Sequence, residues 1–207
     1  MVIIIHLFIS FLVWGAWPVV VLNLPDHGYN LTFISKLILI LFCFLGSGLS
    51  RLLWGFLATI FGVVNWLLIS TLLLVFPCLW MAAILLFPSN NYIMLLAIAS
   101  FTGLASGSSA TVMRFMALRF TQHDVASRIT YADSVGGVGF SLSLFIGLVF
   151  YQSDISRDLL YLYPLICVPL IIVLFFILLF SVKSVRGRLN SDEIITCKLC
   201  KKDFFWQ

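Results

Sequence analysis

Apolar and polar positions divide this chain into six long apolar stretches separated by short polar ones. The stretches run over about 2–24, 33–61, 64–87, 92–120, 129–151 and 161–182. Each is near or above the roughly 20 residues a helix needs to cross a hydrocarbon layer about 30 Å thick. The runs are continuous and do not alternate every second residue, which excludes the strand pattern of an outer-membrane barrel. The pattern predicts an all-α integral membrane domain over 1–183 with six transmembrane helices. Thr32 is placed to cap the second span, Pro77 to kink the third, and Pro88-Ser89-Asn90-Asn91 to turn the chain into the fourth. Residues 121–128 read as a polar loop before the fifth span, and 184–207 as a disordered basic cytoplasmic tail.

Composition sharpens this. The chain has 207 residues, 62% hydrophobic and only 10% charged, against about 25% charged in soluble domains. Met1 to Ile5 lacks the basic start of a signal peptide, and the run that follows is too long for one, so it reads as the first span. The net charge of +4 is unevenly placed. Arg114, Arg119, Arg128, Lys183, Arg186 and Arg188 fall on one side of the predicted membrane, and Lys36 and Arg157 on the other. By the positive-inside rule both termini are cytoplasmic in a multi-pass protein of the cell (inner or plasma) membrane. The basic balance then needs a lipid bilayer and no nucleic acid.

One residue breaks the apolar pattern inside a span. Arg51 lies roughly 16 Å from the Gly62 end of the second span, near mid-membrane, where a charge costs at least about 2.5–3.5 kcal/mol. Helical spacing puts Ser47, Gly48, Gly55 and Thr59 on its face, a small surface that an anion or a helix can approach. The fourth span repeats Ala99, Gly103, Gly107 and Thr111 every four residues, a close-packing pattern. The fifth carries Asp133-Ser134-Val135-Gly136-Gly137-Val138-Gly139, with Ser143 and Gly147 extending the small face. Glycines at that density cost about 1 kcal/mol each against alanine, which close packing or backbone exposure to a ligand would offset. Asp133 has three open roles: pairing with Arg51, binding a coupling proton, or reaching the cytoplasmic interface.

Other chemistry is absent from the pattern. His6, His27 and His123 are scattered, and no nucleophile motif or phosphate-binding loop occurs, so the chain does not read as an enzyme. Cys43, Cys78 and Cys167 read as buried small hydrophobes. Cys197-Lys198-Leu199-Cys200 has no second ligand pair, so no metal and no cofactor is expected.

The arrangement resembles the N-terminal half of a major facilitator superfamily transporter. Arg51-Leu52-Leu53-Trp54-Gly55-Phe56-Leu57-Ala58-Thr59-Ile60-Phe61-Gly62 is similar to the R-x-P-x-G-x-L-x-D-x-x-G stretch of the nitrate/nitrite porter family. Gly103-Leu104-Ala105-Ser106-Gly107-Ser108-Ser109-Ala110 is similar to its G-L-x-G-G-S-F-A segment, and Gly136-Gly137-Val138-Gly139 stands where it has G-N-x-G. The resemblance implies transport of a small inorganic anion by alternating access. It makes Arg51, Gly136, Gly137, Gly139 and Ser109 substrate-binding and Gly55, Gly62, Gly103 and Gly107 packing or gating positions; Asp133, where the family has a small residue, is a candidate for proton coupling by its own carboxylate. The sequence departs from it at Gly137 for the asparagine, Ser109 for the phenylalanine and Thr59 for the gating aspartate. Such transporters place the substrate between two six-helix halves, and one half is found here. Three readings follow: a split transporter completed by a separate C-terminal half, a pair of identical halves, or a truncated, decayed fragment without transport of its own.

Overall fold

The structure, a computed structural model, describes residues 2–24, 31–87, 91–119, 122–152 and 161–181. The helices are α1 (Val2–Asn23), α2 (Phe33–Phe61), α3 (Val63–Leu73), α4 (Val75–Leu86), α5 (Tyr92–Ala105), α6 (Ser108–Arg119), α7 (Gln122–Gln152) and α8 (Leu162–Ser181). Taken end to end, these give six helical segments long and apolar enough to cross a membrane, with α3–α4 and α5–α6 each forming one. The basic tail, the Cys197/Cys200 pair and the loop holding His27 lie outside the described residues.

Three local features shape these segments. Thr32 caps α2, its hydroxyl accepting from the Ser35 amide at 3.2 Å. The third segment breaks at Leu74. Pro77 lacks the N–H that would bond the carbonyl four residues back, so the α-helical ladder is interrupted there. The fourth segment breaks at Ser106–Gly107 into tight i→i+3 bonds, Ser106 N to Gly103 O at 3.1 Å and Gly107 N to Leu104 O at 3.2 Å.

One expectation is corrected. Most of the predicted loop 121–128 is helical, because α7 starts at Gln122. An apolar run marks where a helix is buried in lipid, not where it begins, and Ser127 and Thr130 return hydroxyl bonds to Asp124 O and Ala126 O within it. The second and third segments meet at Gly62 alone, which takes φ +81°. That left-handed conformation is strained for any residue with a Cβ.

α1 is the hub of the bundle, the most enclosed of the six segments. It packs chiefly on α7, while α2 packs on α5 and α6. Both seams are built from small residues. A Cβ at Gly15 would stand 2.8 Å from Ser143 Cβ, and one at Gly107 2.6 Å from Ser50 Oγ. Larger side chains would hold these helices apart.

Candidate anion site

The α2–α5/α6 seam decides which way Arg51 points. Leu39, Cys43, Ser47, Ser50, Trp54 and Ala58 form the buried edge of α2. Ser106 Oγ lies 2.8 Å from Ser47 Oγ, and the Ser50 hydroxyl donates to Ser47 O at 2.7 Å with Gly103 O 3.3 Å away. Gly103 is backed against Cys43 O and the Ser47 amide. Ser47 therefore belongs to the packed edge and not to the Arg51 face on which its spacing put it.

With that edge occupied, Gly48, Arg51 and Thr59 are exposed and Gly55 is half-buried. A Cβ at Gly48 or Gly55 would meet nothing within 4 Å. Gly55 thus makes no close helix contact. Its carbonyl instead accepts from Arg114 Nη1 at 3.3 Å, so Arg114 reaches across to α2. Arg51 makes no hydrogen bond or ion pair among the described residues.

Contacts along α1 set the depths of the other positions. Trp17 Nε1 donates to Leu39 O at 3.1 Å, and the Trp14 ring lies 5.1 Å from Phe44, so α1 and α2 run antiparallel. Seven residues beyond Phe44, roughly 10 Å at 1.5 Å per residue, Arg51 reaches the level of Leu7. On the other flank a Cβ at Gly136 would stand 3.3 Å from Phe11 and 3.4 Å from Leu7. Gly137, exposed and with nothing within 4 Å of a Cβ position, lies at that same level. Trp14 also lies 4.9 Å from Phe140, one turn from Gly137, while Phe44 lies two turns from Arg51 on one stripe of α2. Arg51 and Gly137 thus border one groove between α2 and α7, floored by α1.

The remaining predicted positions sit elsewhere. Gly136 is buried on α1, and Gly139 is backed against Phe8 O of the same helix. Ser109 is 5% exposed, inside the packed bundle. Asp133 is exposed on α7 and forms no pair with Arg51 among the described residues.

Two residues outside the sequence prediction join the picture. Trp14, spaced three apart with Phe8, Phe11 and Trp17 along α1, bridges both walls of the groove. His6 is fully buried, with Nδ1 3.1 Å from Thr71 Oγ1. Thr71 gives its proton to Leu67 O at 2.8 Å, so His6 Nδ1 is the donor, and Nε2 has no partner among the described residues. No group of three or more potential metal ligands occurs among the described residues.

The model of the Major Facilitator Superfamily matches residues 2–196. The chain belongs to this superfamily. Within the superfamily it is 26% identical over 136 residues to the nitrate/nitrite transporter NarU of Escherichia coli (strain K12), covering 66% of this chain and 29% of that protein. The NarU of Salmonella typhimurium gives the same identity and coverage. A probable nitrate/nitrite antiporter, NarK2 of Thermus thermophilus, is 26% identical over 141 residues, covering 68% of this chain and 32% of the relative. This superfamily member therefore spans about a third of the length of the curated relatives it matches.

Proposed function

We propose that the chain forms one half of a cell-membrane transporter that moves a small inorganic anion of the nitrate/nitrite type by alternating access, both termini cytoplasmic. The observation that carries the reading is Arg51, exposed on the open stripe of α2 and without a partner among the described residues. A guanidinium roughly 15 Å inside a span is costly against lipid, so a second protein surface covers the groove and Arg51 meets its counter-charge there. A complementary half or a second copy supplies that surface. Arg51 binds the anion by charge-assisted hydrogen bonds, and Gly137 leaves the opposite wall open for it. Asp133, on the exposed side of α7, is the group available to a coupling proton. The chemistry is transport and not catalysis, with no cofactor.

The test is anion uptake by proteoliposomes containing the chain, alone and with a complementary half. Arg51→Gln removes a charged hydrogen bond worth about 1.5–3 kcal/mol, so apparent affinity falls about 10- to 100-fold. Arg51→Lys keeps the charge but not the planar fork, and falls between. Uptake unchanged in Arg51→Gln refutes the assignment of Arg51. Wild-type protein that moves no anion in any combination refutes transport.

A further inference from the structure

Six buried side-chain atoms have no hydrogen-bond partner among the described residues, and five of them gather in one part of the bundle: His6 Nε2 on α1, Trp54 Nε1 on α2, Trp66 Nε1 on α3, and Ser108 Oγ and Thr111 Oγ1 on α6. Contacts place them. Trp54 and Trp66 stand edge to face with ring centres 5.4 Å apart, in a cluster with Phe115 on which Ile3 packs. Thr111 and Ser108 follow Phe115 along one stripe of α6, and His6 follows Ile3 one turn along α1. α2 and α6 are level at Ser50 and Gly107, and α1 and α3 at His6 and Thr71. Counted from Gly62, the depths are roughly 6 Å for Trp66, roughly 12 Å for Trp54 and Thr111, roughly 13 Å for His6 and roughly 17 Å for Ser108. The five atoms therefore form a short column inside the bundle, on the buried edge of α2 and not in the groove that holds Arg51.

The break in the fourth segment accounts for two of the five. Other buried hydroxyls return their proton to a carbonyl of their own helix, as Ser10 does to His6 O, Ser70 to Leu67 O and Thr102 to Ile98 O. The carbonyls that Ser108 and Thr111 would use, four residues back, are Leu104 O and Gly107 O. Both are taken into the tight bonds of the break, by Gly107 N at 3.2 Å and Ala110 N at 3.1 Å. The chemistry of the set then selects a ligand. The two indole N–H groups can only donate, His6 Nε2 can only accept because Nδ1 carries the proton, and the two hydroxyls can do either. A bound anion would face the His6 lone pair, and a cation would face the two N–H groups. Water meets all five, and buried polar atoms call for such a partner.

We propose that this column binds a short internal file of ordered water, about two molecules at the roughly three hydrogen bonds that each buried water makes. Its ligands come from α1, α2, α3 and α6, so the file ties four helices together. It ends at the level, roughly 18 Å from Gly62, where both interrupted segments break, at Leu74 and at Ser106–Gly107. The proposal rests on the fold alone and stands or falls apart from anion binding at Arg51.

The test is radiolytic footprinting of the full chain in bilayers. A brief X-ray pulse turns water into hydroxyl radicals that oxidise the side chains beside it, and a scavenger in the buffer removes the radicals of bulk solution. Peptide sequencing by mass spectrometry reads each residue separately. Trp17 is the reference, because it is fully buried on the same helix as His6 and its Nε1 is already bonded to Leu39 O. His6, equally buried, is expected to be oxidised several times faster than Trp17, although indole is the more reactive ring, and Trp54 and Trp66 faster still. Thr111→Val removes one ligand of the file at nearly constant shape, and is expected to slow oxidation of Trp54 severalfold while leaving Trp17 unchanged. Oxidation of His6 no faster than that of Trp17 in the wild-type chain overturns the proposal. So does an unchanged rate at Trp54 in a folded Thr111→Val variant. The first comparison uses the unaltered protein, so it decides the matter even where the variant does not fold.

Discussion

Two chemically identical substitutions on neighbouring helices are expected to move stability in opposite directions. A Cβ at Gly103 would collide with Cys43 O and stand 2.8 Å from the Ser47 amide nitrogen, both backbone atoms of α2 that no rotamer change can move. α2 and α5 must separate to admit it. Overpacking of this kind costs about 1–3 kcal/mol. The separation also stretches the Ser50–Gly103 and Ser106–Ser47 hydrogen bonds, each worth about 0.6 kcal/mol between helices in a membrane. Alanine recovers up to about 1 kcal/mol of helix propensity, leaving Gly103→Ala destabilised by about 1–3 kcal/mol. At Gly48 nothing lies within 4 Å of a Cβ, so the propensity term stands alone and Gly48→Ala is stabilising by up to about 1 kcal/mol. The assay is denaturant or thermal unfolding of purified protein in one detergent, followed by the fluorescence of its six tryptophans, among them Trp54 on the buried edge of α2. Equal stability of the two variants, or a destabilised Gly48→Ala, would refute the seam and with it the orientation of Arg51.

Two further outcomes follow from other positions. Gly62→Ala forces a Cβ into φ +81°, at a cost of about 1–2 kcal/mol, although no atom lies near enough to clash; an unchanged unfolding midpoint would count against the tight junction. Asp133→Asn is expected to flatten the pH dependence of anion uptake while leaving the unfolding transition in place. A pH profile identical to that of the wild-type chain removes Asp133 from coupling.

The spans were legible because lipid demands long uninterrupted apolar runs, and few other structures write that pattern. Arg51 was legible for the complementary reason, as a charge that such a run does not tolerate. What the runs do not encode is rotation about each helix axis. Spacing alone grouped Ser47 with Arg51, whereas the hydroxyl contacts to Ser106 turn Ser47 into the seam. Gly136, Gly137 and Gly139 read alike in sequence. In space two of them press on α1 and only Gly137 opens to the groove. The break at Ser106–Gly107 also had no separate signal, since serine and glycine there serve close packing equally well. Trp14 was indistinguishable from its aromatic neighbours until its contacts with both flanking helices were seen.

The contrast between the two surfaces of α2 has a mechanical consequence. Toward α5 and α6 it is tied along about 30 Å of its length: Tyr92 Oη donates to Ser35 O, Ser47 and Ser50 meet Ser106 and Gly103 O, and Arg114 holds Gly55 O. Toward α1 it is held chiefly by the Trp17 hydrogen bond and the Trp14–Phe44 contact. A joint with many spaced polar ties resists shear more than one with fewer. Relative motion in this bundle is therefore channelled: α5 and α6 travel with α2 and with Arg51, and the α1–α2 joint is the one that yields first.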